Sequence, residues 1–174
     1  MSVIKGLDKL TKKLAKTHKI AHDATKKGVR DKTLSTQRDA KLHAPTMHGD
    51  LMRSIKAEVR DDDNIITGKV YTKNPHAVYV EFGTGPVGEA SEKVIPKGMA
   101  IQYKDKGWLV PVDFFPNYQQ YGMIAIEING ELFVPTRGQK AQQFMTPASL
   151  KNKVNVGKDI GATVSKQLRK DLKK

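Results

Sequence analysis

Ala77-Val78-Tyr79-Val80-Glu81-Phe82-Gly83-Thr84-Gly85 is the stretch around which the chain is organised. An apolar run carries a single carboxylate, Glu81, into two glycines that bracket a threonine. The apolar part has to be buried on at least one side. The glycines mark an abrupt turn that a residue with a Cβ would resist. Tyr79 and Phe82 fall on one helical face, while Val78 and Val80 fit a strand as well; the stop at Gly83 favours a short helix that closes there.

Moving outward, a second segment stands upstream, Thr46-Met47-His48-Gly49-Asp50-Leu51-Met52-Arg53-Ser54-Ile55. A third stands far downstream, Gly138-Gln139-Lys140-Ala141-Gln142-Gln143-Phe144-Met145-Thr146-Pro147-Ala148. In order and spacing the three resemble the tail-completion, or head–tail joining, family of tailed bacteriophages. The matching positions are Gly49, Leu51 and Ser54 in the entry segment, and Tyr79, Glu81, Phe82, Gly83, Thr84 and Gly85 in the centre. The exit segment matches at Gly138, Gln139, Ala141, Phe144, Pro147 and Ala148. One departure is plain: Gln143 stands where the family usually has proline before the phenylalanine.

The resemblance implies a small α+β domain, a mainly antiparallel β-sheet packed by helices and assembled as a homo-oligomeric ring. It implies a structural virion protein at the head–tail junction, made in the host cytoplasm. Its implied partners are a head-completion or connector protein on one side and a tail-tube or tail-terminator protein on the other. DNA would pass through the lumen with transient contact. No catalytic residue, metal or cofactor is implied. Tail completion and head completion remain alternatives, and the copy number is left open.

Composition agrees with a scaffold of this kind. At 174 residues the chain is long enough for one domain with extensions, and 6% aromatic content makes its core modest. No run approaches the roughly 20 apolar residues of a membrane span. Lysines interrupt the amino terminus from Lys5 onward, unlike a signal peptide. The absence of cysteine removes disulfides, thiolate nucleophiles and sulfur-bound metals together.

The net charge is +13, and its location matters more than its size. Residues 1–44 hold twelve Lys/Arg against four Asp, and residues 148–174 hold eight against two. Residues 45–147 hold eleven basic and twelve acidic groups, so the body is near neutral and both ends are basic. The chain therefore reads as a basic amino-terminal amphipathic helix over 1–44, a core over 45–150 and a basic carboxy-terminal helix over 151–174.

Local patterns fill in the rest. Val3, Leu7, Leu10, Leu14, Thr17, Ala21, Ala24 and Gly28 step at the four-and-three spacing of one helical face, and Pro45 stops that helix. Gly49–Ile55 predicts a helical turn feeding a hairpin, with strands near Ala57–Arg60 and Ile65–Thr72 and a turn at Asp61-Asp62-Asp63-Asn64. Residues 86–107 lack periodicity and read as an irregular loop, so Gly88 should matter less than Gly83 or Gly85. Trp108–Val112 reads as a short strand. Asn129-Gly130 between two β-prone runs predicts a type I′ hairpin from Met123 to Val134. Thr146-Pro147 reads as the cap and first turn of a helix, whose later face carries Ile160, Val164, Leu168 and Leu172.

Other chemistry is weaker. Gly83-Thr84-Gly85-Pro86-Val87-Gly88 formally matches a dinucleotide fingerprint, but Pro96 cuts off the long helix that such a site needs. His18 and His22 share a helical face without further ligands, which fits a solvated surface better than zinc. His43 and His48 flank Pro45 in a loop, and His48 with Asp50 and Ser54 supplies triad residue types without triad geometry. Glu81 in an apolar segment invites an acid–base reading, yet no second group is at hand; bonding to backbone amides at the glycine turn, or pairing with Arg53 or a subunit neighbour, is the plainer role. The rival function is a small basic DNA- or RNA-binding protein. Only six of its thirty-one basic residues are arginine, and both basic ends lack aromatic residues for stacking.

Overall fold

Helix α1 (Leu7–His43) carries the amino-terminal periodicity through 37 residues, about 55 Å of continuous helix. It ends where Pro45 requires: Ala44 is extended, at φ −67° and ψ 135°. A computed structural model describes residues 6–46, 49–63 and 65–172, with the side chains of Lys9 and Leu172 left aside. The expectations that fall on Val3, His48, Asn64 and the Leu172 side chain lie outside the described residues.

The chain is α+β, with small antiparallel sheets, a long amino-terminal helix and a carboxy-terminal helix. It divides into two compact units, Met1–Lys73 with Pro147–Lys174, and Asn74–Thr146. In the first unit, α2 (Asp50–Ser54) follows Gly49, which takes a left-handed φ of 67°, and leads into β1 (Lys56–Asp62) and β2 (Ile65–Tyr71). These strands pair from Lys56↔Tyr71 to Asp62↔Ile65. The hairpin turn is therefore tighter than the four residues 61–64. Asp61 is a strand residue, accepting from Lys26 Nζ at 2.9 Å and lying 3.1 Å from His22 Nε2. Its neighbours hold its carboxyl below the usual carboxylate range, with the Lys26 hydrogen bond the largest cause. His22 is thus half-buried and paired, a correction to its reading as open helix surface.

Two further helices complete this unit. One continuous carboxy-terminal helix was the expectation; the structure has α5 (Met145–Lys153) and α6 (Val156–Leu172), broken at Asn155, whose φ is 62°. A left-handed residue cannot continue a right-handed helix, and asparagine tolerates that conformation better than most. Helix α6 returns antiparallel to α1. Ile160 covers Gly28, Lys32 pairs with Asp159, and Asn152 at the end of α5 meets Asp39. Gly28 lets the two backbones approach, since a Cβ there would stand 3.3 Å from Ile160. The stripe predicted along α1 is buried from Ala24 onward, whereas Leu7, Leu10 and Leu14 remain 50%, 55% and 62% exposed.

The second unit holds α3 (Ala77–Phe82), α4 (Gly85–Ala90) and the sheet β3 (Trp108–Pro111), β4 (Ile126–Ile128) and β5 (Glu131–Thr136). The sheet order is β3-β5-β4, all antiparallel. Asn129 (φ 54°) and Gly130 (φ 83°) make the β4–β5 turn with the two positive φ angles of type I′. Residues 86–107 depart from an irregular loop at their start, because α4 runs through Ala90 with Pro86 in its first turn.

Asp39 is the buried charge of the first unit. It accepts from Asn152 Nδ2 at 2.7 Å and pairs with Lys151 Nζ at 3.3 Å. The Asn152 hydrogen bond, opposed by burial and aided by Lys151, holds its carboxyl below the ordinary range. A depressed acid contributes stability that is present above its unfolded value and lost as pH falls through the folded one. Asp39→Ala should therefore melt below wild type near neutral pH. In thermal melts the gap should close as pH drops below the normal carboxylate range.

Candidate functional site

Glu81 reaches the site from the last turn of α3. The Gly83 N–H closes that turn on Tyr79 O at 2.9 Å, and Gly83 then leaves at φ 76°. The Glu81 side chain is 5% exposed, and both of its oxygens are engaged. Oε2 accepts the backbone N–H of Phe144 at 2.8 Å and of Met145 at 2.9 Å; Oε1 accepts that of Thr146 at 2.8 Å. These are orphan donors of the first turn of α5. A carboxylate satisfies them and places negative charge at the positive end of the helix. The cap of this helix is therefore Glu81, more than sixty residues away in sequence, and Thr146 is a donor to it inside the helix. This corrects two sequence readings. Glu81 binds amides, but those of α5 in place of the glycine turn, and Arg53 pairs with Asp50 at 2.8 Å.

The glycines make a second set of contacts between the centre and exit segments. Thr84 N–H donates to Gln139 O at 3.0 Å, Gln139 N–H returns to Thr84 Oγ1 at 3.1 Å, and Gln142 N–H donates to Val80 O at 2.8 Å. Gln139 Nε2 adds a bond to Tyr79 O at 3.0 Å. Backbone meets backbone here with no room for a Cβ. At Gly83 one would stand 2.7 Å from Gln139 O, and at Gly88 2.5 Å from the Gly83 carbonyl carbon. Gly88 belongs to this packing, contrary to its expected place in a loop. At Gly138 (φ +96°) a Cβ would run into Thr84 O.

In the same unit as the clasp, Phe82 and Phe144 are buried at 7% and 0% exposure. Tyr79 points outward at 54% and contributes its carbonyl. Ala141 N–H donates to Ser91 Oγ at 3.0 Å. The centre residues and exit residues 138–146 are thus brought together within one unit. Pro147 and Ala148 continue α5 in the other. The entry residues form their own small cluster in the first unit: Leu51 is buried, and Ser54 Oγ donates to Leu51 O at 2.7 Å and lies 2.6 Å from Thr72 Oγ1.

Sequence reasoning missed three participants. Gln143 clamps Val94 through both ends of its amide, at 2.8 Å each, which gives the position usually held by proline a specific task here. Lys93 donates to the carbonyls of Gly88, Glu89 and Ser91 and closes the end of α4. Tyr103 donates to Phe82 O at 2.9 Å, and burial, with the Glu89 charge, pushes its phenol up. No local pattern announces any of them; each depends on a partner brought near by folding.

With both oxygens of Glu81 consumed by amides, the arrangement holds chain segments together. No group of three or more metal-ligating side chains occurs among the described residues, and no helix there is long and apolar enough to cross a membrane. Residues 2–83 match the family model described as "Bacteriophage HK97-gp10, putative tail-component". The amino-terminal stretch is HK97-gp10-like. The match covers just under half of the chain and fits a phage tail-completion or neck family. It makes the chain similar to a structural phage tail component, a virion protein that works among other virion proteins. No curated protein and no solved structure matches the chain.

Two outcomes follow for the clasp. Glu81→Gln keeps shape but aims an amide N–H₂ at backbone donors, and should cost about 1–3 kcal/mol of stability in denaturant titration, with Glu81→Ala costing more. Gly88→Ala should destabilise about as much as Gly83→Ala. Gly161→Ala, which meets open space inside α6, should instead stabilise by roughly 0.5–1 kcal/mol.

Proposed function

We propose that this protein is a tail-completion or head–tail connector subunit, which assembles as a ring and joins the tail to the capsid connector while leaving a passage for DNA. The observation that carries the reading is the Glu81 clasp. The tail-component match ends at Gly83, while the residues that complete the clasp, Gly138 to Thr146, are those of the exit segment whose pattern resembles tail-completion proteins. A carboxylate with both oxygens filled by backbone amides supports a scaffolding role over general acid–base catalysis, which requires a free lone pair near substrate. On this reading the site residues Gly49, Leu51, Ser54, Tyr79, Glu81 and Phe82, together with the glycines 83, 85 and 138, are architectural.

Exposed edges support assembly. Both β3 and β4 lie at the ends of their sheet, and β4 is exposed at each of its three residues. A strand edge left open tends to pair or to be covered by another chain, and a closed ring covers such edges. The partners on this reading are a connector protein on the head side and a tail-tube or tail-terminator protein on the other, at the junction of the virion.

The second reading, direct binding of nucleic acid, is favoured by one observation: Lys12, Lys13, Lys16 and Lys19 on α1 and Lys158, Lys166 and Lys170 on α6 are exposed. The two separate in one comparison. Purified protein added to tails that lack this component should restore joining to heads, seen by electron microscopy, and Glu81→Ala should reduce it. In filter binding near physiological salt, the isolated chain should hold duplex DNA only weakly. Sub-micromolar affinity with a steep salt dependence would instead support the nucleic-acid reading.

A further inference from the structure

Asn129 and Gly130 are the two central residues of the turn between β4 and β5, and Ile128 pairs with Glu131 across it. Both turn residues are exposed. The Asn129 carboxamide makes no hydrogen bond to any described residue. Nor does the Gly130 backbone N–H, which lies outside the strand ladder. A Cβ built on Gly130 would meet nothing within 4 Å. An electrophilic side-chain carbonyl and an unbonded backbone nitrogen therefore stand one residue apart in solvent.

The chain has six asparagines, and the structure separates this one from the rest. Asn64 lies outside the described residues and precedes β-branched Ile65. Asn74 precedes Pro75, which has no N–H. Asn117 precedes Tyr118, whose N–H is held by Phe115 O at 3.0 Å. Asn152 is buried, and its amide donates to Asp39 and to Ala148 O. Asn155 precedes β-branched Val156, where a Cβ crowds the approach of the nitrogen. Only at Gly130 is the following nitrogen unhindered by a side chain.

We propose that Asn129 is a site of spontaneous deamidation in the folded protein, with the Gly130 backbone nitrogen as nucleophile. That nitrogen loses its proton to hydroxide and attacks Asn129 Cγ. The new N–Cγ bond closes a five-membered succinimide, the Cγ–Nδ2 bond breaks, and ammonia leaves with a proton from water. Water then opens the ring. Addition at Cγ gives aspartate. Addition at the main-chain carbonyl gives isoaspartate, in which the chain runs through Cβ and Cγ. One water is consumed and one ammonia released, with no change of oxidation state.

Ring closure turns the Gly130 nitrogen towards Cγ about the Asn129 Cα–C bond, away from the ψ of about 30° of a type I′ turn. The turn therefore has to open first. Strand β4 is only three residues long and exposed at each, so this end of the sheet is weakly held. Isoaspartate adds an atom to the main chain of a two-residue turn whose twist must match its strands, and so disrupts the pairing of β4 with β5. Aspartate keeps the main chain and tolerates the left-handed φ, and adds a carboxylate to a hairpin that already carries Glu127 and Glu131. This chemistry is independent of the proposed function.

The test holds the native full-length protein at mildly alkaline pH in water enriched in heavy oxygen, then quenches in acid and digests with trypsin. Peptide 107–137 contains both Asn117 and Asn129 and gives an internal comparison by mass spectrometry. Heavy oxygen should enter at Asn129 several-fold faster than at Asn117, Asn152 or Asn155, and several-fold more slowly at mildly acidic pH. Asn129→Gln, whose longer side chain closes a less favoured ring, should stay unmodified at that position. Amide hydrogen exchange over Ile126–Ile128 should be several-fold faster in the separated isoaspartate form than in Asn129→Asp protein. Conversion at Asn129 no faster than at Asn117, or appearing only in urea-unfolded protein, would overturn the assignment. Equal exchange in the isoaspartate form and in Asn129→Asp would overturn the effect on the hairpin.

Discussion

The Glu81 carboxylate is the fixed point from which the Asn74–Thr146 unit is organised. It lies in the last turn of a six-residue helix, and its oxygens hold three successive amides where α5 begins. Charge-assisted bonds of this kind are shorter and about twice as strong as neutral ones, and burial increases both their strength and the cost of breaking them. A short helix has little stability of its own, since nucleation is costly and few hydrogen bonds follow. Here α3 and the start of α5 each supply what the other lacks, a fixed acceptor for one and a filled set of donors for the other.

The glycines follow from that constraint. Once Glu81 is tied to 144–146, the chain on either side must run close: residues 83–88 lie against 137–141, joined by Thr84–Gln139 and Val87–Arg137 bonds. Side chains are excluded at Gly83, Gly88 and Gly138 because backbone atoms already occupy the space. The result is a rigid junction of main chain.

The other unit is built on a different principle. Its long helix α1 is packed by α6 and by the β1–β2 hairpin along its later two thirds, with Gly28 and Gly68 allowing close approach at Ile160 and Thr33. Its polar contacts sit at the borders of that packing, Asp39 with Asn152 and Lys151, and Asp61 with His22 and Lys26. Lys12, Lys13, Lys16 and Lys19 on α1 and Lys158, Lys166 and Lys170 on α6 are exposed, so much of the described basic charge lies at the surface.

Local features were legible without coordinates. The heptad-like spacing and Pro45 define α1 and its end, Asn129-Gly130 defines a hairpin, and Gly83 closes α3, because each depends on dihedral preferences of residues next to one another in sequence. The expectation that Glu81 bonds backbone amides also came from its chemistry alone. Which amides, however, depended on bringing together residues more than sixty apart. The same holds for the β3-β5-β4 order, the joining of residues 1–73 with 147–174 as one unit, the role of Gly88 and the clamp of Gln143 on Val94. The exposure of Leu7, Leu10 and Leu14 is of that kind as well: periodicity states which residues share a face, and only the end point of α6 decides whether anything covers it. Sequence fixes local geometry because torsional and solvation preferences act over a few residues; tertiary structure assigns partners because those depend on which distant segments the closed chain brings within hydrogen-bond reach.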